Sequence, residues 1–124
     1  MNPADFTDVT LNIPITIAAS ASLSGAVNLK GFVIVGIIVP TGWTAANITL
    51  KASRDGGNTY YPVFDDSGNE VVITVTSTGG YYITLANFQK VSGLNYIKVQ
   101  SGTNASNVTQ TSQMVLTLVC RLVG

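Results

Sequence analysis

Nine short stretches rich in β-branched and aromatic residues, separated by clusters of Gly, Pro, Asn, Asp or Ser, leave this chain little choice but packed β-sheet. They cover residues 11–17, 22–29, 32–39, 47–53, 60–64, 70–76, 81–85, 96–100 and 114–122. In the first, Leu11, Ile13, Ile15 and Ile17 alternate with Asn12, Pro14 and Thr16, the period of two that turns one face of a strand to a core. Pro14 has no N–H to give a neighbour, so this strand belongs at a sheet edge. Apolar residues at helical spacing are nearly absent.

The run 32–39, Phe-Val-Ile-Val-Gly-Ile-Ile-Val, is apolar on both faces. One face then packs in the core and the other against a loop, a neighbour or another subunit, and Gly36 marks a bulge. Turns are expected at Lys30-Gly31, at 40–43 with Trp43 capping one end of the sandwich, at 55–58, at 79–80, and at 65–69 as a hairpin connection. A loop of Gly, Thr, Asn and Ser spans 101–112. Nine antiparallel strands in 124 residues fit a two-sheet β-sandwich of jelly-roll type. An immunoglobulin-like domain fits less well, because its Cys-Trp-Cys framework is missing. The order of the strands does not follow from the pattern.

One domain accounts for the whole length: an arm at residues 1–10, containing Phe6 and two acids, followed by a sandwich at 11–124. The arm has neither the basic nor the apolar region of a signal peptide, and 32–40 is too short to span a bilayer as a helix, so synthesis in a cytoplasm is expected. Charged residues make up 10% of the chain, against about 25% in ordinary soluble domains, while mean hydropathy is +0.37. A small domain so short of charge has difficulty covering its surface, and packing against other subunits removes the difficulty. Six bases balance six acids, and none of the Lys or Arg cluster, which gives no electrostatic footprint for nucleic acid or an anionic membrane. Sequons at Asn47, Asn104 and Asn107 are read as by-products of a Thr- and Asn-rich composition.

Without histidine, Ser-His-Asp and Cys-His nucleophiles and most transition-metal sites drop out. Cys120 lies in an apolar run and reads as a buried small hydrophobe. A carboxylate pair would have to come from Asp55, Asp65, Asp66 or Glu70, but turn acids ordinarily bond their own backbone and face water. The segment 65–70 has closely spaced oxygen ligands yet lacks the spacing of a calcium loop. No catalytic, cofactor or metal site is assigned, and no cofactor is expected. Trp43, Tyr60, Tyr61, Phe64, Tyr81 and Tyr82 are open to two readings, a sugar-stacking platform or structural packing; adjacent tyrosines point to opposite faces, so one of each pair at most joins a platform.

The stretches 22–29, 31–40, 43–49, 52–56 and 96–103 resemble small virion proteins of tailed bacteriophages, in particular capsid decoration, or cement, proteins. The resemblance covers about residues 20 to 122 and leaves the arm outside. It implies a jelly-roll domain that forms homotrimers on the outer capsid surface, meets the major capsid protein where capsomers join, and stabilises the shell. It carries no fixed site and therefore assigns no residue a role. The alternative is a carbohydrate-binding or structural module of a head fibre or tail.

Overall fold

The computed structural model describes residues 10–76, 78–86 and 88–122. Its strands are β1 (Thr10–Ile17), β2 (Val27–Asn28), β3 (Phe32–Val39), β4 (Ile48–Ser53), β5 (Tyr61–Pro62), β6 (Val72–Ile73), β7 (Tyr81–Thr84), β8 (Tyr96–Ser101) and β9 (Met114–Leu122). A single 3-10 turn, Phe88–Val91, is the only helical element among the described residues.

Two antiparallel sheets result. The first has the order β1-β9-β3-β7, and the second the order β2-β8-β4-β5, with β6 also on β4. β5 and β6 share one edge of β4: Pro62 and Tyr61 lie opposite Lys51 and Ala52, and Ile73 and Val72 opposite Ile48 and Thr49. Counted as one interrupted strand, they complete a simple scheme. β1 pairs with β9, β2 with β8, β3 with β7, and β4 with β5 and β6. The chain is one long hairpin, rolled up until β9 also meets β3 and β8 meets β4. That connectivity is a jelly roll.

Alternation sets the core. Ile15 and Ile17 on β1, Ile34, Ile37 and Val39 on β3, and Leu116, Leu118 and Cys120 on β9 turn inward from the first sheet. Ile48 and Leu50 on β4, and Ile97 and Val99 on β8, meet them from the second. Pro14 lies on an edge strand, and the β3–β9 register slips between Ile34 and Gly36, so the bulge falls where the glycine was read. The slip moves Val35 out of the ladder and keeps both flanking isoleucines inward. The expected turn at 65–69 closes with Phe64 bridged to Glu70 and the Asp65 N–H on the Asn69 carbonyl at 2.8 Å.

Strand 22–29 survives as β2 plus a bridge from Leu23 to Gln100, and 70–76 as β6. The loop from 101 to 112 is ordered by the Gly102–Asn107 bridge and by one buried side chain, Gln110. Its Nε2 donates to the Thr44 carbonyl (3.0 Å) and Ser101 Oγ (2.8 Å), and its Oε1 accepts the Thr44 N–H (2.7 Å). Its backbone bonds Ala21 and Ser20. Three chain segments are thereby tied at one end of the sandwich. The arm at 1–10 lies outside the described residues except for Thr10, which opens β1.

Candidate functional site

Two of the carboxylates offered by the sequence, Asp55 and Asp65, are placed by their own turns. Asp55 Oδ1 accepts from Ser53 Oγ (2.7 Å) and from the N–H groups of Thr59 (2.9 Å) and Asn58 (3.1 Å). Those bonds, the serine hydroxyl first, hold its carboxyl down to about 2. Asp65 Oδ1 accepts the N–H groups of Ser67 and Asn69, and its Oδ2 meets Lys90 Nζ at 3.3 Å. The Asn69 N–H leads in lowering the Asp65 carboxyl below its ordinary value. Glu70 accepts the Asn104 N–H, and Asp66 is exposed. Turn geometry thus accounts for Asp55 and Asp65, while Glu70 is held by the loop that follows β8. No cluster of three or more His, Cys, Asp or Glu suited to a metal occurs among the described residues. Among them, too, no helix is long and apolar enough to cross a membrane.

The aromatic set does not converge. Trp43 is 1% exposed, with its Nε1 donating to the Ala46 carbonyl, so it has no face for a sugar and serves as core. This removes Trp43 from the stacking platform and bears out its place at the sandwich end. Tyr81 leans on the core while Tyr82, its neighbour, stands outward, as strand alternation requires. Tyr60 is capped by Lys98, whose Nζ sits 4.6 Å from the ring centre. Tyr61 and Phe64 alone of the hairpin aromatics are well exposed, at 67% and 52%. Cys120 is fully buried, and burial pushes its thiol up to about 11, as expected of a packing residue.

A cleft of about 490 Å³ opens between β6 and β7, which belong to different sheets and are free on their outer sides. Val71, Ile73 and Val91 floor it, and Asp65, Glu70 and Lys90 stand on its rim. On that rim Asp65 pairs with Lys90, and Glu70 accepts the Asn104 N–H.

The sheets' outer faces differ more than any pocket. Outward from the first sheet point Asn12, Pro14 and Thr16 of β1, Val115, Thr117, Val119 and Arg121 of β9, Val33, Gly36 and Ile38 of β3, and Tyr82 and Thr84 of β7. Arg121 is the one charge. Val115, Ile38 and Tyr82 are 46%, 38% and 49% exposed, and the Tyr82 ring lies across Gly36, where a Cβ would come within 2.8 Å of it. The run 32–39, read as apolar on both faces, has its outer side covered in part by this tyrosine and left open at Ile38. The second sheet turns Lys51 and Lys98 outward, directly opposite each other. Bases scattered along the sequence are thus brought together by register, which corrects the expectation that no lysines cluster; no signal short of the β4–β8 register could have revealed it. Gln110 was missed for a similar reason, since nothing local separates it from the polar residues around it. Comparison of the chain with family models, with curated proteins and with solved structures gave no match.

Proposed function

We propose that this protein is a non-enzymatic structural subunit of a virion, a decoration protein that binds the outside of an assembled bacteriophage head as a homotrimer and stabilises the shell by bridging capsomers. The observation that carries the reading is the outer face of the first sheet, four strands wide with one charge and with Val115, Ile38 and Tyr82 open to water. Such a face gains by being covered, and copies of the chain supply a cover equally poor in charge. The turn-bound Asp55 and Asp65, the capped Tyr60, the buried Trp43 and the resemblance of about residues 20 to 122 to decoration proteins support the same reading. The partners are then the chain itself and the major capsid protein. Binding only the assembled lattice stabilises it by mass action, and several weak contacts per trimer add through avidity.

Purified chain added to heads assembled without it tests the proposal. Saturable binding and a higher temperature of shell rupture are expected; no binding and no protection would overturn it. Light scattering should give about three times the 13.0 kDa chain mass, and Val115→Glu should reduce it. A second reading, a glycan-binding module of a fibre or tail, is favoured by the exposure of Tyr61 and Phe64 on one hairpin. A glycan array without a binder would end it.

A further inference from the structure

Between β5 and β6 the chain makes a hairpin whose register sorts its side chains. Val63 and Val71 lie across from each other, joined by the Val71 N–H on the Val63 carbonyl at 2.9 Å, and both lean on the core. Phe64 and Glu70, the next pair along, are bridge partners and share the opposite side, the outer face of the second sheet. Cross-strand partners have Cβ atoms about 4.5–5.5 Å apart, so the Glu70 side chain stands beside the Phe64 ring. Pro62 faces the same way opposite Lys51 of β4, and so does Val72 opposite Thr49. Polar groups adjoin this apolar surface. Both carboxylate oxygens of Glu70 accept the Asn104 N–H at 3.2 Å, and Asn104 Oδ1 accepts from Lys51 Nζ at 3.0 Å. An acid, an amide and an ammonium thus stand in a row next to an aromatic ring that is more than half exposed. Each has capacity left over: one N–H does not fill the lone pairs of two oxygens, the ammonium has three N–H groups for one acceptor, and the Asn104 NH₂ is unused.

We infer that Phe64, Glu70, Asn104 and Lys51 form a binding site for a neutral sugar, one pyranose unit of a glycan. A pyranose has a face of C–H groups and an edge of hydroxyls, each hydroxyl both donor and acceptor. The slightly positive C–H face matches the negative face of the Phe64 ring, with Pro62 and Val72 adding apolar surface around it. Neighbouring hydroxyls match an acceptor and donors set side by side, Glu70 with Asn104 and Lys51. Charge selects a neutral ligand. The carboxylate and the ammonium offset each other, so an anion gains at Lys51 what it loses at Glu70. A protein segment docks through several apolar anchors or a long strand edge, and β5 and β6 offer two residues each. The site rests on the glycan-binding reading for its class of ligand. Tyr61 has no part in it, because it lies opposite Ala52 and turns to the other side of the strand from Phe64. Being on the second sheet, the site stays open when copies of the chain cover the first.

The test is an NMR titration of the full chain with the methyl pyranosides of glucose, galactose, mannose and N-acetylglucosamine, each to about 100 mM, since one ring on an open face gives millimolar binding. At least one should shift the amides of Phe64, Glu70 and Asn104 saturably, and methyl glucuronide should bind no tighter than the glucoside. Phe64→Ala should weaken that binding at least about tenfold and Glu70→Gln at least about threefold, while Tyr61→Ala should leave it unchanged. Phe64 lies mostly in water, so its variant should melt near the wild-type temperature; if it does not, Glu70→Gln, which keeps the side chain's shape, decides. Saturable shifts confined to other residues, or binding unchanged in both variants, sink the site and leave the glycan-binding reading standing. No shifts with any of the four sugars overturns the site, and a glycan array then decides that reading by itself. Tighter binding of the glucuronide would overturn the choice of a neutral ligand.

Discussion

Replacing Gln110 by Leu keeps the volume of a wholly buried side chain and deletes its three side-chain hydrogen bonds. The N–H and carbonyl of Thr44 lose their partner together, and Ser101 Oγ, buried on the end of β8, loses one as well. An orphaned buried group costs about 1–3 kcal/mol; Thr44 is half-buried and water can recover part of its loss, which places the sum near 3 kcal/mol. For a domain of this size that lowers the melting temperature by roughly 10 °C. Guanidinium unfolding at a fixed protein concentration measures it, fixed because assembled chains gain stability by mass action. Gln110→Glu sharpens the test. Burial and the facing Thr44 carbonyl push the new carboxyl above its ordinary value, and the protonated form regains one donor, so its deficit should shrink as pH falls. A loss under about 1 kcal/mol for the Leu variant would refute the assignment of Gln110 as the tie between the three segments.

Two glycines should respond differently to Ala. At Gly36 the new Cβ meets only the far end of the exposed Tyr82 side chain, which can swing aside, so a cost below about 1 kcal/mol and a changed Tyr82 ring signal in NMR are expected. At Gly79, with φ at +91°, the Cβ would fall on the Pro40 carbonyl oxygen, and a loss of about 3 kcal/mol or more in denaturant is expected. The depressed Asp55 carboxyl contributes stability that is present above the ordinary value of 3.8 and is lost as pH falls toward about 2; acid unfolding of Asp55→Ala should lack that component. The raised Cys120 thiol works in the opposite direction, its contribution present below 9 and lost as pH rises toward about 11, and thiol reagents at pH 8 should modify the chain only when it is unfolded.

Strands were legible wherever side chains alternate or run apolar, because a two-residue period records burial directly. β3, β4, β8 and β9 fall within a residue of the pattern. Stretches 60–64 and 70–76 shrank to two-residue strands because both compete for one edge of a six-residue β4, a limit set by a partner far along the chain. The jelly-roll class was readable from the number of strands and turns, whereas the order was not, since it is fixed by pairings such as Ile17 with Met114. The turn Phe88–Val91 carried no capping or periodic signal. Of the site, what lay within one turn was readable, as with Asp55 and Asp65. What depends on register, the Lys51–Lys98 pair and the outer face around Tyr82, was not.

The rolled-hairpin connectivity also governs when this chain can fold. Only β4 with β5 and β6 joins neighbours in sequence, while β1 must find β9, the last of the nine strands. A nucleus at the β4 end is therefore the one available early, and each later pair closes a longer loop outward to the termini. During synthesis the apolar edge of β1 must wait, unpaired, until Met114–Leu122 has been made. Folding in the millisecond-to-second range is then expected, as for other sheet proteins built from distant contacts. The same nesting works in reverse. With β9 hydrogen-bonded to β1 on one side and to β3 on the other, that strand cannot leave without breaking two ladders, which gives a small domain a slow route to unfolding.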